Sequence, residues 1–259
     1  MDAPGGYLLD LDGTLYHGGA AIPGAVDAMA RLRRRGTPFR LVTNTTTKSR
    51  AMLVERLAGY GFDARTEEIF TATLAGVSLV RGAGYRSIVP FVPAGALEDM
   101  VGLTLSGGTS GTPSTGPADV VVVGDLGERW SYALLQEAFE HLLAGAALVA
   151  LSRDRYWSQG HRLTLDAGPF VAALEFASGK SAAVAGKPSA TFFEAAVGSL
   201  QIPKASVAMV GDDLWSDVEG AQRAGLRGWL VETGKFRKDL LDRASVKPDR
   251  ILASVAELV

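Results

Sequence analysis

Cysteine is absent from the 259 residues, which excludes disulfides, thiol nucleophiles and thiolate metal sites. Histidine is scarce: His17, His141 and His161 lie far apart, make no metal-ligand spacing, and each reads as a structural residue. No apolar run approaches the roughly 18 residues that span a bilayer. Met1 to Gly6 carry neither the basic patch nor the apolar stretch of a secretory signal. The expectation is a soluble, cytoplasmic protein. Charge of one sign is not in excess either, since 26 Lys plus Arg face 28 Asp plus Glu. No broad basic field exists to gather nucleic acid or an anionic membrane, so an anionic substrate must be held locally.

What is present is a globular composition, 47% hydrophobic, on a chain long enough for a main domain with a second one inserted. The apolar run Gly6 to Leu9 stops at Asp10, and Phe39 to Val42 stops at Thr43 and Asn44; both read as buried strands ending in polar residues. Between them Ala25, Val26, Met29 and Leu32 recur at helical spacing, with Pro23 before and Gly36 after, which completes a β-α-β unit. Ser206 to Val210 is a further strand, breaking into Gly211, Asp212 and Asp213, and Gly228 to Val231 follows as another. Alternating strands and helices predict an α/β fold with a doubly wound parallel sheet. The middle of the chain differs: helices over Tyr132 to Leu143 and Pro169 to Ala177, and a Gly-, Ser- and Thr-rich stretch, Gly107 to Gly116, that reads as a mobile surface loop. Residues 74–180 are read as an inserted α/β domain and residues 1–73 and 181–259 as the core.

Asp10-Leu11-Asp12-Gly13-Thr14-Leu15 carries the chemistry. Residues two apart in a strand point to the same side, so Asp10 and Asp12 are expected to face one crevice, and Gly13 lets the chain turn after them. Two carboxylates in one site suit a nucleophile held ionised by a metal and a partner that carries a proton. The bland alternative is an acidic strand end before a turn.

This segment resembles the first motif of the haloacid dehalogenase superfamily, most of whose members are phosphatases. Thr43-Asn44 resembles the second motif, whose hydroxyl and backbone N–H groups bind phosphate oxygens, and Gly186-Lys187-Pro188 the third, whose lysine neutralises nucleophile and phosphoryl group. Gly211-Asp212-Asp213-Leu214-Trp215-Ser216-Asp217 resembles the fourth. The resemblance implies Mg2+ as cofactor, held by the Asp10 carboxylate, the Asp12 carbonyl and Asp212, an oxygen set that magnesium prefers. Asp213 and Asp217 are candidates for orienting metal waters or Lys187. Their alternative role is a capped helix start with acidic residues at its positive end. The cations answer a physical need: at about 4 Å, two like unit charges repel by about 4 kcal/mol at an effective dielectric of 20.

The order core, insert, core resembles the C2-capped branch, subclass IIA, which implies a Rossmann-like core under a C2-type cap. Gly127 to Tyr132, Leu165 to Pro169, Val184 to Ser189 and Thr233-Gly234-Lys235-Phe236-Arg237 are most similar to phospholysine phosphohistidine inorganic pyrophosphate phosphatases; phosphatases of the NagD type, acting on sugar phosphates or nucleotides, are the rival. The resemblance implies a small phosphorylated substrate, and a homodimer through the cap. Arg153, Tyr156 and Trp157 are candidates for substrate choice, the two rings read as a flat pair that closes over a substrate beside cations, with surface packing as the alternative. Two other classes remain in view: a hydrolytic dehalogenase, which has no need of Asp12 or Asp212, and a catalytically silent binding module, which predicts a gap in the motif set.

Overall fold

A computed structural model describes residues 3–114, 116–159 and 162–258; His161 lies outside them. The chain divides into two compact units, Met1–Thr43 with Arg50–Phe70 and Lys187–Val259, and Asn44–Ser49 with Thr71–Gly186. Among the described residues no helix is long and apolar enough to cross a membrane.

The first unit is built on a six-stranded sheet in the order Arg250–Leu252, Arg227–Val231, Val207–Gly211, Gly6–Asp10, Phe39–Thr43, Ile69–Thr71. The pairings Gly6–Asp10 makes with Val207–Gly211 and with Phe39–Thr43 are parallel. Gly6–Asp10 and Val207–Gly211 are buried along their whole length, as expected of strands covered on both faces. Tyr7 and Leu9 pack on one face with Phe39, Leu41, Ala208 and Val210. Helix Ala25–Arg34 closes that face with Ala25, Met29 and Leu32, the i, i+4, i+7 stripe legible in the sequence. From the central strand the chain moves first to one side, through Phe39–Thr43, and later to the other, through Val207–Gly211. The crevice at such a reversal, at the carboxyl ends of the strands, is where α/β sheets bind ligands.

The second unit has its own five-stranded parallel sheet, ordered Ala183–Val184, Ala147–Ala150, Val120–Val123, Ser87–Phe91, Thr104–Leu105. Helices Tyr132–Leu143 and Ala167–Ser178 supply Ala138, Leu142, Val171 and Leu174 to its core. An antiparallel hairpin pairs Tyr156–Gln159 with Arg162–Leu165. The stretch read as a mobile surface loop, Gly107 to Gly116, is free of helix and strand in its described part and is tied by local hydrogen bonds. Gly107 N–H donates to Thr112 O at 2.8 Å, Ser110 Oγ to Gly107 O at 2.7 Å, and Thr109 Oγ1 to Val92 O at 2.7 Å. The hydroxyls fold this segment as a closed turn by taking over backbone acceptors, a use of Ser and Thr that composition does not distinguish from solvation.

Candidate active site

Asp10 is the last residue of its strand, and Asp212 follows the last residue of the neighbouring one, with Leu9 opposite Val210 in register. Their carboxylates therefore leave the sheet side by side. The chain after Asp212 widens into a π-type turn, Leu214–Glu219, which brings Asp217 back to the same point. One carboxylate oxygen from each of Asp10, Asp212 and Asp217 lies within 4.8 Å of the others, and all three side chains are buried. Lys187, only 4% exposed, places its ammonium among them, 2.5 Å from Asp10 Oδ1 and 2.6 Å from Asp217 Oδ1.

The electrostatics follow from burial. Loss of hydration pushes the Asp10 carboxyl well above the usual carboxylate range; Lys187 pulls it down, but burial together with the Asp217 charge prevails. Asp212 is pushed up as well, by burial and then by Asp10 and Asp217. Burial works against the Lys187 ammonium, yet the two carboxylates bonded to it outweigh that and raise it, so it stays charged. The cluster is anion-rich and short of cations, the condition of a site built for a divalent ion: three buried carboxylates offer hard oxygen ligands within reach of one another. The donor set fits such an ion.

The other predicted residues fall into place unevenly. Asp213 is a cap: its Oδ1 accepts from the N–H groups of Trp215 and Ser216, both at 3.0 Å, and those bonds hold its carboxyl low against the burial that would raise it. The structure thus separates two residues the sequence treated alike, Asp213 in the cap and Asp217 in the carboxylate cluster. Asp12 is not positioned by strand alternation, the basis on which the sequence placed it beside Asp10. The strand ends at Asp10, Asp12 bridges to Tyr16, and its side chain, 69% exposed, meets His17 Nδ1 at 3.3 Å. That contact was not legible, although Gly18-Gly19 between Tyr16–His17 and Ala20–Ala21 is a hairpin signal that could have found the turn carrying His17.

Thr43 ends the strand beside Asp10, whose register partner is Val42. Asn44 groups with the second unit, where its amide donates to Asp154 Oδ2 at 3.3 Å. There Arg153 is ion-paired with Glu175 at 2.6 Å. Tyr156 and Trp157 are both exposed, but as consecutive strand residues they point to opposite faces, so the flat aromatic pair expected from the sequence does not form. Beside Asp212 a cavity of about 150 Å³ is walled by Leu214, Leu230, Phe236 and Leu241, with Lys235 and Arg237 also on its lining.

Comparison with known proteins decides the family. Residues 7–103 match the haloacid dehalogenase-like hydrolase family model and residues 184–258 a second, HAD-hydrolase-like model. Haloacid dehalogenase-like hydrolase domain-containing protein 2 of Bos taurus is 41% identical over 93% of this chain and 89% of its own length. The chain belongs to the haloacid dehalogenase-like hydrolases. Phospholysine phosphohistidine inorganic pyrophosphate phosphatase of Homo sapiens is 37% identical over 98% of this chain and 92% of its own. Among solved structures, NagD from E. coli K-12 superposes with a TM-score of 0.88 at 25% identity, covering 100% of this chain and 99% of that one. These likenesses place the chain in the C2-capped subclass IIA of this hydrolase family, and in its phosphatase class.

Proposed function

We propose that this hydrolase is a magnesium-dependent phosphohydrolase that works through an aspartyl-phosphate on Asp10. The observation that carries the reading is the Lys187 ammonium held between Asp10 and Asp217 with Asp212 alongside. Among the described residues, Asp10, Asp212, Asp213 and Asp217 are met by the ammonium groups of Lys187 and, at the rim, Lys235, which leaves two negative charges for a divalent cation to balance. Asp10, Asp212 and the Asp12 carbonyl would hold Mg2+, with Asp217 fixing Lys187; the ion would supply Lewis-acid charge opposite the phosphoryl oxygens.

The residues then have distinct tasks. Asp10 attacks phosphorus in line with the leaving group, forming the P–O bond of an acyl phosphate as the bond to the leaving group breaks. Lys187 and the Thr43 and Asn44 donors offset charge on the phosphoryl oxygens. Asp12, exposed and two residues beyond the nucleophile, suits the proton traffic: it protonates the departing group, then deprotonates the water that attacks phosphorus and frees Asp10. The substrate is a small phosphorylated molecule. Pyrophosphate or a phosphoramidate is favoured by the name of the relative that aligns over 98% of this chain, and the likeness to NagD supports a sugar-phosphate or nucleotide phosphatase as the second reading.

Hydrolysis of a generic aryl phosphate should appear with magnesium, disappear with chelator, and disappear in Asp10→Asn. A magnesium-supported screen of pyrophosphate, phosphohistidine, sugar phosphates and nucleoside monophosphates separates the substrate readings; a clear preference for sugar phosphates would overturn the first of them. Exposed Tyr132, Leu143 and Phe176 on two helices of the second unit support a homodimer through that unit, which light scattering on the purified chain tests.

A further inference from the structure

Strand Arg227–Val231 runs parallel to Val207–Gly211, with Leu230 opposite Gly211, so the chain after Val231 leaves the sheet at the same edge as Asp212. Three sets of contacts tie this segment to the site. The Lys235 backbone N–H donates to Asp212 Oδ2 at 2.7 Å. The Thr233 hydroxyl donates to the carbonyl oxygen of Gly13, in the turn that follows Asp10 and Asp12. Gly234 and Gly13 approach so closely that a Cβ on Gly234 would collide with Asp212 Oδ2 and Gly13 Cα, while one on Gly13 would collide with Asp212 Oδ2 and lie 3.1 Å from Gly234 Cα. Both glycines also hold positive φ, +87° at Gly13 and +60° at Gly234, which side chains rarely accept.

One oxygen of Asp212 is therefore committed to a backbone donor and wedged between two glycines. The carboxylate fixed in this way is one of the three whose oxygens, one from each of Asp10, Asp212 and Asp217, lie within 4.8 Å of one another. We infer that Thr233, Gly234 and Lys235 form a positioning loop that presets Asp212 as a cation ligand and locks it to the turn bearing Asp10 and Asp12. The inference rests on the magnesium reading above and adds Thr233 and Gly234, which that reading does not use, and the backbone N–H of Lys235. A carboxylate held in its binding orientation loses less rotamer freedom when a cation arrives, so the loop sets cation affinity before any substrate is present.

Calorimetric titration of Mg2+ into the full chain without substrate tests this independently of turnover. Thr233→Val, which removes the donor and keeps the shape, and Gly234→Ala, which inserts the colliding Cβ, are each expected to weaken Mg2+ binding about tenfold or more. Thr233→Ser keeps the hydroxyl and is expected to bind as wild type does. Gly59→Ala, whose Cβ would meet nothing, serves as the control. Should circular dichroism show Gly234→Ala unfolded, Thr233→Val decides. Wild-type affinity in Thr233→Val overturns the inference, as does a loss that Thr233→Ser shares. A wild-type protein that binds no Mg2+ overturns the magnesium reading itself, a different result from wild type and variants binding equally well.

Discussion

At the scale of single residues, Asp10, Asp212 and Asp217 share one buried site, so ionising each makes the next harder, and Lys187 relieves only the two it touches. Asp12 stands apart from this competition, exposed to solvent and paired with His17, which is what a proton carrier requires. Asp12→Asn is expected to lower kcat by about 10²–10⁴-fold, with KM for an aryl phosphate falling alongside it as hydrolysis of the acyl phosphate becomes limiting, and with the larger loss of kcat/KM on substrates whose leaving group needs a proton. Steady-state kinetics across a leaving-group series checks this. Lys235 makes a different prediction. Its side chain is 70% exposed, with Nζ 3.3 Å from Asp213 Oδ2, and its charge reaches Asp212, Asp217 and Asp10 through a partly screened field. Lys235→Met should bind Mg2+ more tightly and the phosphorylated substrate more weakly, each by a few-fold, the size of a screened pair of about 1 kcal/mol or less. Calorimetry and KM move in opposite directions if the effect is charge.

At the scale of elements, the π-type turn Leu214–Glu219 is held at its start by Asp213, and it carries Asp217 to Lys187. Asp213→Ala removes both capping bonds and should cost about 0.5–2 kcal/mol of stability together with activity, whereas Asp213→Ser retains a capping oxygen and most of both. Denaturant unfolding and turnover on the same samples check the pair. The strands that present the site were legible because their apolar runs end abruptly at Asp10, Thr43 and Asp212, and burial on both faces demands continuous apolar runs. Less regular elements were not legible. Asp213 and Asp217 look equivalent in sequence, and only a turn wider than an α-helix sends one into the cap and the other to the lysine. The closed turn at Ser106–Thr112 is built from hydroxyl-to-carbonyl bonds, and Ser and Thr signal these no differently from solvent exposure. Lys235 and Gly234 were visible only as part of a resemblance, since the contact of Lys235 with Asp212 joins residues 23 apart in sequence that meet at one sheet edge.

At the scale of the whole molecule, the sequence reading put the junctions after residues 73 and 180, while the contacts put them after Phe70 and Gly186 and assign Asn44–Ser49 to the second unit. Lys187 thus begins the return to the first unit, hydrogen-bonded to Asp10. The carboxylate cluster also sets how stability varies with pH. Asp10 and Asp212 are raised by burial, so without a cation the folded chain holds protons that the unfolded chain releases near pH 4. Their contribution is present below that value and is lost as pH rises through neutrality. Metal-free protein is therefore expected to melt lower at about pH 8.5 than at about pH 5.5, with Mg2+ restoring more stability at the higher pH; thermal melts with and without chelator check this. The central claim, that Asp10 takes the phosphoryl group, is tested most directly by trapping it. Asp12→Asn mixed with an aryl phosphate, whose leaving group needs no proton, and Mg2+ should form the acyl phosphate and hydrolyse it slowly. Acid quenching followed by peptide mass spectrometry should then find one hydroxylamine-labile phosphoryl group on the peptide containing Asp10. A phosphoryl group on another residue, or continued turnover by Asp10→Asn, would contradict the account.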